Sequence, residues 1–132
     1  MLNDMVVWFL KRRIARIQHF MDNPLDVQQQ MFEELIATAR YTEWGVRHRY
    51  AQIRTPREFK AQVPISTYET LFPWIERVLK GEPNVLWPST PEWFSKSSGT
   101  TNARSKYLPV SPEALEDCYY MGGKDMMTLL IH

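Results

Sequence analysis

The chain has 132 residues, 44% of them hydrophobic and 23% charged, a balance that excludes disordered and fibrous classes and fits one soluble core of modest size. Sixteen Lys and Arg against fifteen Asp and Glu leave a formal charge of +1, which gives no global reason to expect nucleic acid as a partner. A single cysteine, Cys118, rules out an internal disulfide and any CxxC pair for zinc or redox chemistry, so a reducing cytoplasm fits best.

The first predicted helix runs from near the start to about Phe20. Val6, Leu10, Ile14, Ile17 and Met21 recur at helical spacing with Lys and Arg between them. Its apolar run "MVVWFL", Met5 to Leu10, is far short of a membrane span, and its positive residues follow rather than precede it, unlike a secretory signal. It reads as a buried stripe, ahead of an interfacial amphipathic helix, and "KRR" at Lys11 to Arg13 reads as the wet face. Asn23 and Pro24 suit an N-cap and first helical position, so a second helix starts there. Met31, Phe32, Leu35, Ile36 and Ala39 form its apolar face, and Gly45 is the expected C-terminal break.

Two capping boxes follow, Thr55 with Glu58 in "TPRE" and Ser66 with Glu69 in "STYE", each marking a helix start. The second of these helices carries Leu71, Phe72, Ile75, Val78 and Leu79 on one face and ends at Gly81, which can adopt the left-handed conformation. Beyond it, Pro83, Pro88 and Pro91 exclude a long helix, while "NVLW", "EWFSK" and "SKYLPV" suit short strands. Ser111 and Pro112 start a further helix containing Leu115, Cys118 and Tyr119, which "GG" at Gly122 and Gly123 should break or kink before "KDMMTLLIH" starts again. The expected layout is therefore helical over 1–80, a β-hairpin region over 84–110 and helical over 111–132. The apolar ending "MMTLLIH" lacks a cap or polar tail, from which the chain is expected to be the N-terminal part of a longer protein.

Pairing of "EWFSK" with "SKYLPV" leaves a connection from Ser97 to Arg104, longer than the roughly two to five residues usual in hairpins. Ser97, Ser98, Thr100 and Thr101 offer hydroxyl donors, Gly99 lets the backbone approach closely, and Lys106 adds a positive charge, a set suited to an anion. Walker and Rossmann loops are excluded, because there is neither GxxxxGK nor GxGxxG here. By composition alone a solvated hairpin loop still ranks ahead of a phosphate site.

Elsewhere the sequence is quieter. His19, His48 and His132 lack the companion spacing of a metal site, there is no GxSxG, and Cys118 has no nucleophile context. The "CYY" stretch, Cys118 to Tyr120, reads as core packing rather than a pocket wall. Trp8, Trp44, Trp74, Trp87 and Trp93 read as helix-packing residues ahead of stacking platforms for an aromatic acid.

"SSGTT" followed by a lysine and "KYLPVS" resembles the first nucleotide motif of the auxin-responsive promoter family of acyl-acid amido synthetases, the Gretchen Hagen family of the adenylate-forming superfamily. "NPLDVQQQMFEELIATARYTEWG", "FKAQVPISTYETLFPWIERVLKGEPNVLWP" and "KDMM" resemble the N-terminal stretches of bacterial members in the same order, so the likeness covers nearly the whole chain. It implies an α/β adenylate-forming fold, of which this chain is a helix-rich N-terminal fragment with a β-hairpin carrying the phosphate loop. It also implies a ligase that adenylates a carboxylic acid with ATP and Mg²⁺ and passes the acyl group to an amino acid or other amine. Ser97, Ser98, Gly99, Thr100, Thr101 and Lys106 would cradle the phosphates, with Lys106 the catalytic charge. Ala103 departs from the family's glycine or acidic residue, and Asn102, Ala103 and Arg104 receive no role.

A charge-assisted hydrogen bond contributes about 1.5 to 3 kcal/mol and a lysine beside a phosphate about 4 kcal/mol at an effective dielectric near 20, which ranks Lys106 above any one hydroxyl. The later motifs of the family lie beyond His132, so the isolated chain is expected to be inactive, with the rest of the parent chain as its partner and no role for a membrane. The alternatives are a ligase forming a coenzyme A thioester, which shares the adenylation step, and a non-catalytic helical interaction module docking through its first two helices.

Overall fold

Seven α-helices, a 3-10 turn (Tyr50–Gln52), a π-helical segment (Leu115–Tyr120) and one hairpin account for the regular structure of residues 2–97 and 105–131, which the computed structural model describes. The chain divides into two compact units, Met1–Gln30 with Glu113–His132, and Met31–Pro112.

In the first unit, α1 (Leu2–Asp22) packs against α7 (Met121–Ile131). Ile17 is buried and Ile14 half-buried, as the apolar spacing predicts, whereas Met21 is exposed; Val6 and Leu10 lie outside the described side chains. Arg13 does not lie on a wet face. Its side chain is 11% exposed, and the guanidinium donates from Nε to Asp125 Oδ1 at 2.9 Å, from Nη2 to the same oxygen at 2.5 Å and from Nη1 to Met121 Sδ at 3.1 Å. An arginine can take an inward position when its fork finds a carboxylate there, and this one ties the two helices together.

The expected break at Gly122 and Gly123 is absent: α6 (Pro112–Ala114), a π-helical segment (Leu115–Tyr120) and α7 follow one another without interruption. Neither glycine faces a close neighbour, and Thr128, buried in α7, donates its hydroxyl to the Lys124 carbonyl. Within a continuous helix glycine costs only about 1 kcal/mol, so tertiary packing overrides it. Cys118, Tyr119 and Tyr120 are exposed rather than core residues.

The second unit contains the main core. Ile36, Ala39, Tyr50 and Ile53 form its buried centre, with Phe32, Trp44, Phe59, Val63 and Trp87 packed around them. Helix α2 (Pro24–Ala39) buries Ile36 and Ala39 from its predicted stripe and leaves Met31 and Leu35 about half exposed. Asn23 does place its carbonyl to accept from Val27 N–H, but its side-chain amide donates back to the His19 carbonyl.

The helix ends at Ala39 rather than at Gly45, which sits inside α3 (Glu43–Arg47). Thr42, fully buried, accepts from Gly45 N–H and donates to the Ala39 carbonyl, closing one helix and opening the next with one hydroxyl. The stretch read as a strand, "NVLW", is instead a loop. Asn84 adopts a left-handed φ of 59°, and the Asn84 and Val85 carbonyls accept from the first two N–H groups of α3, Glu43 and Trp44. Helix N–H groups without intrahelical partners took the backbone that a sheet would have used.

Thr55 and Glu58 form the predicted capping box of α4 (Pro56–Gln62). Helix α5 (Tyr68–Leu79) buries Ile75 and Val78, as its spacing predicts, and ends at Gly81 with φ of +84°. Its cap, however, is Thr67, whose hydroxyl accepts from Thr70 N–H, and not Ser66. Trp44 and Trp74 meet edge to face at 5.3 Å and Trp87 lines the core, in keeping with a packing role, while Trp8 and Trp93 are more than half exposed.

Strands β1 (Trp93–Lys96) and β2 (Tyr107–Val110) pair antiparallel, with Trp93 opposite Val110 and Lys96 opposite Tyr107. The molecule is thus helix-rich with one small antiparallel sheet. Among the described residues no helix is long and apolar enough to cross a membrane.

Candidate functional site

The hairpin extends one step past its strands. Ser97 N–H donates to the Lys106 carbonyl at 3.0 Å, and Lys106 N–H returns a bond to the Ser97 hydroxyl oxygen at 3.3 Å. Two of the residues expected to hold phosphate are therefore joined at the neck of the hydroxyl-rich loop. Ser98, Gly99, Thr100 and Thr101 lie outside the described residues. The Ser97 hydroxyl oxygen is thus engaged as an acceptor.

Alternation of the antiparallel ladder explains the next layer. With Ser97 and Lys106 exchanging hydrogen bonds, the adjacent pair, Lys96 and Tyr107, is a non-bonded one, so the backbone groups of Tyr107 face away from β1. The Tyr68 phenol on α5 takes both: its oxygen accepts from Tyr107 N–H at 3.0 Å, and its O–H donates to the Tyr107 carbonyl at 3.4 Å. One side chain thereby does the work of a third strand at this point. It fixes the start of β2, and with it Lys106, to the first turn of α5.

Lys106 itself does not project freely. Its Nζ lies 3.5 Å from Glu69 Oε1 and 5.0 Å from the centre of the Tyr68 ring. The Glu69 carboxyl is held below its ordinary value, first by its own backbone N–H, then by the Thr67 hydroxyl and the nearby Lys106 charge. Glu69 was expected to close a capping box with Ser66; the cap is Thr67, and the Glu69 carboxylate also lies within ion-pair distance of the lysine. Tyr68 and Glu69 are the residues that sequence reasoning missed at this site. They stand 39 and 37 residues from their partners, and no periodicity or motif spans that gap.

The same unit holds a groove of about 830 Å³, lined by Leu35, Trp44, Phe59, Val63, Ile65 and Trp87 among others. It is mainly apolar, with Lys60 and Ser66 as the polar residues of its wall. The His48 ring lies tilted against Trp44 with centroids 4.3 Å apart, and among the described residues no three His, Cys, Asp or Glu side chains could hold an ion.

Residues 13–132 match the GH3 family N-terminal domain. The chain belongs to the GH3 family. Among its curated relatives, an indole-3-acetic acid-amido synthetase of Arabidopsis thaliana is 33% identical over 108 residues, covering 80% of this chain and 18% of the relative. A jasmonoyl–L-amino acid synthetase of Nicotiana attenuata is 32% identical over 108 residues, 76% of this chain and 18% of its own length. A 4-substituted benzoates-glutamate ligase of Arabidopsis thaliana is 29% identical over 119 residues, 89% of this chain and 20% of its own length. This GH3 chain thus spans about a fifth of the length of these relatives.

Proposed function

We propose that this GH3 segment supplies the phosphate-holding loop of an ATP-dependent acyl-acid amido synthetase. The carrying observation is the pairing of Ser97 with the Lys106 backbone at the neck of the hydroxyl-rich loop, in a chain whose relatives are named for joining acids to amino acids. In the first step a carboxylate oxygen attacks the α-phosphorus of ATP, the α–β anhydride bond breaks, and an acyl adenylate and pyrophosphate form. In the second the amine nitrogen of an amino acid attacks the acyl carbon, loses its proton and expels AMP.

Such transfers call chiefly for positioning and charge stabilisation. Lys106 offsets negative charge building on the departing pyrophosphate, while Ser97, Ser98, Gly99, Thr100 and Thr101 supply hydroxyl and backbone N–H donors. Mg²⁺ fits this chemistry as an ion carried by the nucleotide's own phosphates and water, since the described residues gather no ligand set of their own. Its contribution is to neutralise phosphate charge.

The test is ATP–pyrophosphate exchange in a full-length GH3 protein carrying this segment. Lys106→Ala should slow exchange by of order a hundredfold and by more than Thr101→Ala does, since a full charge outweighs one hydroxyl. The reverse order would refute the ranking. The 132-residue chain alone should support no exchange, and measurable exchange by it would refute the view that this segment holds phosphate without completing the site.

A further inference from the structure

The environment of Lys106 carries an additional role for Glu69. The lysine leaves its strand at the neck of the loop, yet its ammonium rests 3.5 Å from the Glu69 carboxylate on α5 and over the Tyr68 ring, with both partners anchored in the same helical turn. That turn is fixed to β2 by the two hydrogen bonds of the Tyr68 phenol to Tyr107, so the backbone that carries the carboxylate is held near that of Lys106. Lys106 is half exposed and Glu69 more so, which makes the pair a weak and exchangeable one rather than a structural bridge.

We propose that Glu69 is a positioning residue that holds Lys106 at rest and competes with polyphosphate for its charge. This rests on the reading of the loop as a phosphate site. An arriving polyphosphate draws the lysine from the carboxylate, and departure of pyrophosphate lets it return. Between these events the pair holds the ammonium beside the first turn of α5. Its influence is small by design of its exposure: an ion pair of this kind changes affinity by no more than about fivefold.

The test is a charge cycle on the full 132-residue chain with inorganic tripolyphosphate as the probe, followed by amide chemical shifts around Lys106. Glu69→Gln should bind tripolyphosphate up to about fivefold more tightly than the unmodified chain at low salt, with the gain shrinking as ionic strength rises. In a Lys106→Met background the same substitution should bring no gain. A gain that persists without the lysine would reduce Glu69 to a general repulsive charge and overturn the proposal. Equal or weaker binding by Glu69→Gln, with the unmodified chain binding normally, would overturn it while leaving the phosphate loop standing. Absence of tripolyphosphate binding by the unmodified chain would remove the loop reading and the proposal together.

Discussion

A Cβ built on Gly45 would meet the Ala39 carbonyl oxygen at 2.1 Å, a backbone atom that has no rotamer by which to move away. That carbonyl is also the acceptor for the Thr42 hydroxyl, so pushing it aside disturbs the junction of α2 and α3. Gly81 presents the opposite case, with open space around its Cβ position and a φ of +84° that side chains resist. Gly45→Ala should therefore lower stability by at least about 2 kcal/mol through overpacking, and Gly81→Ala by only about 1 kcal/mol through backbone strain. Urea midpoints read from tryptophan fluorescence would rank the two, and equal effects would count against the close approach. The left-handed role of Gly81 was legible in "KG", because a helix end calls for it locally. The reason for Gly45 was not, because the atom that excludes a side chain belongs to the end of a different helix.

The start of α5 shows how an element can be recognised while its cap is misplaced. "STYE" announces a helix, but two neighbouring hydroxyl residues compete for the cap, and local sequence does not choose between them. In the structure Thr67 takes the position, while Glu69 approaches Lys106 and Tyr68 binds the edge of β2. Thr67→Ala should cost about 1 kcal/mol and Thr55→Ala a similar amount, while Ser66→Ala should cost close to nothing. Thermal or urea unfolding of the three variants checks the assignment, and a Ser66→Ala loss matching that of Thr67→Ala would return the cap to Ser66. At the same scale "EWFSK" and "SKYLPV" formed the expected hairpin, but "NVLW" did not become a strand. Its carbonyls at Asn84 and Val85 serve the N-terminus of α3, a partner that lies 41 residues earlier in the chain.

At the scale of the whole molecule, exposed ion pairs join parts of the chain that are distant in sequence. Arg77 grips Glu43 with two bonds of 2.8 and 2.6 Å and Glu82 with a third of 2.6 Å, linking α3, α5 and the turn after it. The hydrogen bonds from Arg77 hold the Glu43 carboxyl below its ordinary value of 4.5, and the Arg54 backbone N–H, before the Thr55 groups, does the same for Glu58. Because the folded-state values are depressed, these groups contribute stability above the ordinary carboxylate range and lose it as pH falls through their folded values. Stability should therefore decline as pH drops below 4.5, and Glu43→Gln should flatten that decline. Urea titrations at a series of pH values would show it; an unchanged slope in the variant would mean that the Arg77 link does not couple to folding.

Helix existence, the Thr55 box, the Gly81 stop and the hairpin strands were determined by sequence alone, since each follows from spacing or conformation within a few residues. The likeness of its motifs to the GH3 family was equally legible, because those motifs are contiguous. Tertiary structure decided the inward turn of Arg13, the helix that runs through Gly122 and Gly123, and the approach of Tyr68 and Glu69 to Lys106. The physical reason is common to all three. A guanidinium, a glycine pair and a phenol can each serve several local conformations at similar cost, and the choice falls to a partner far along the chain, which no local pattern can name.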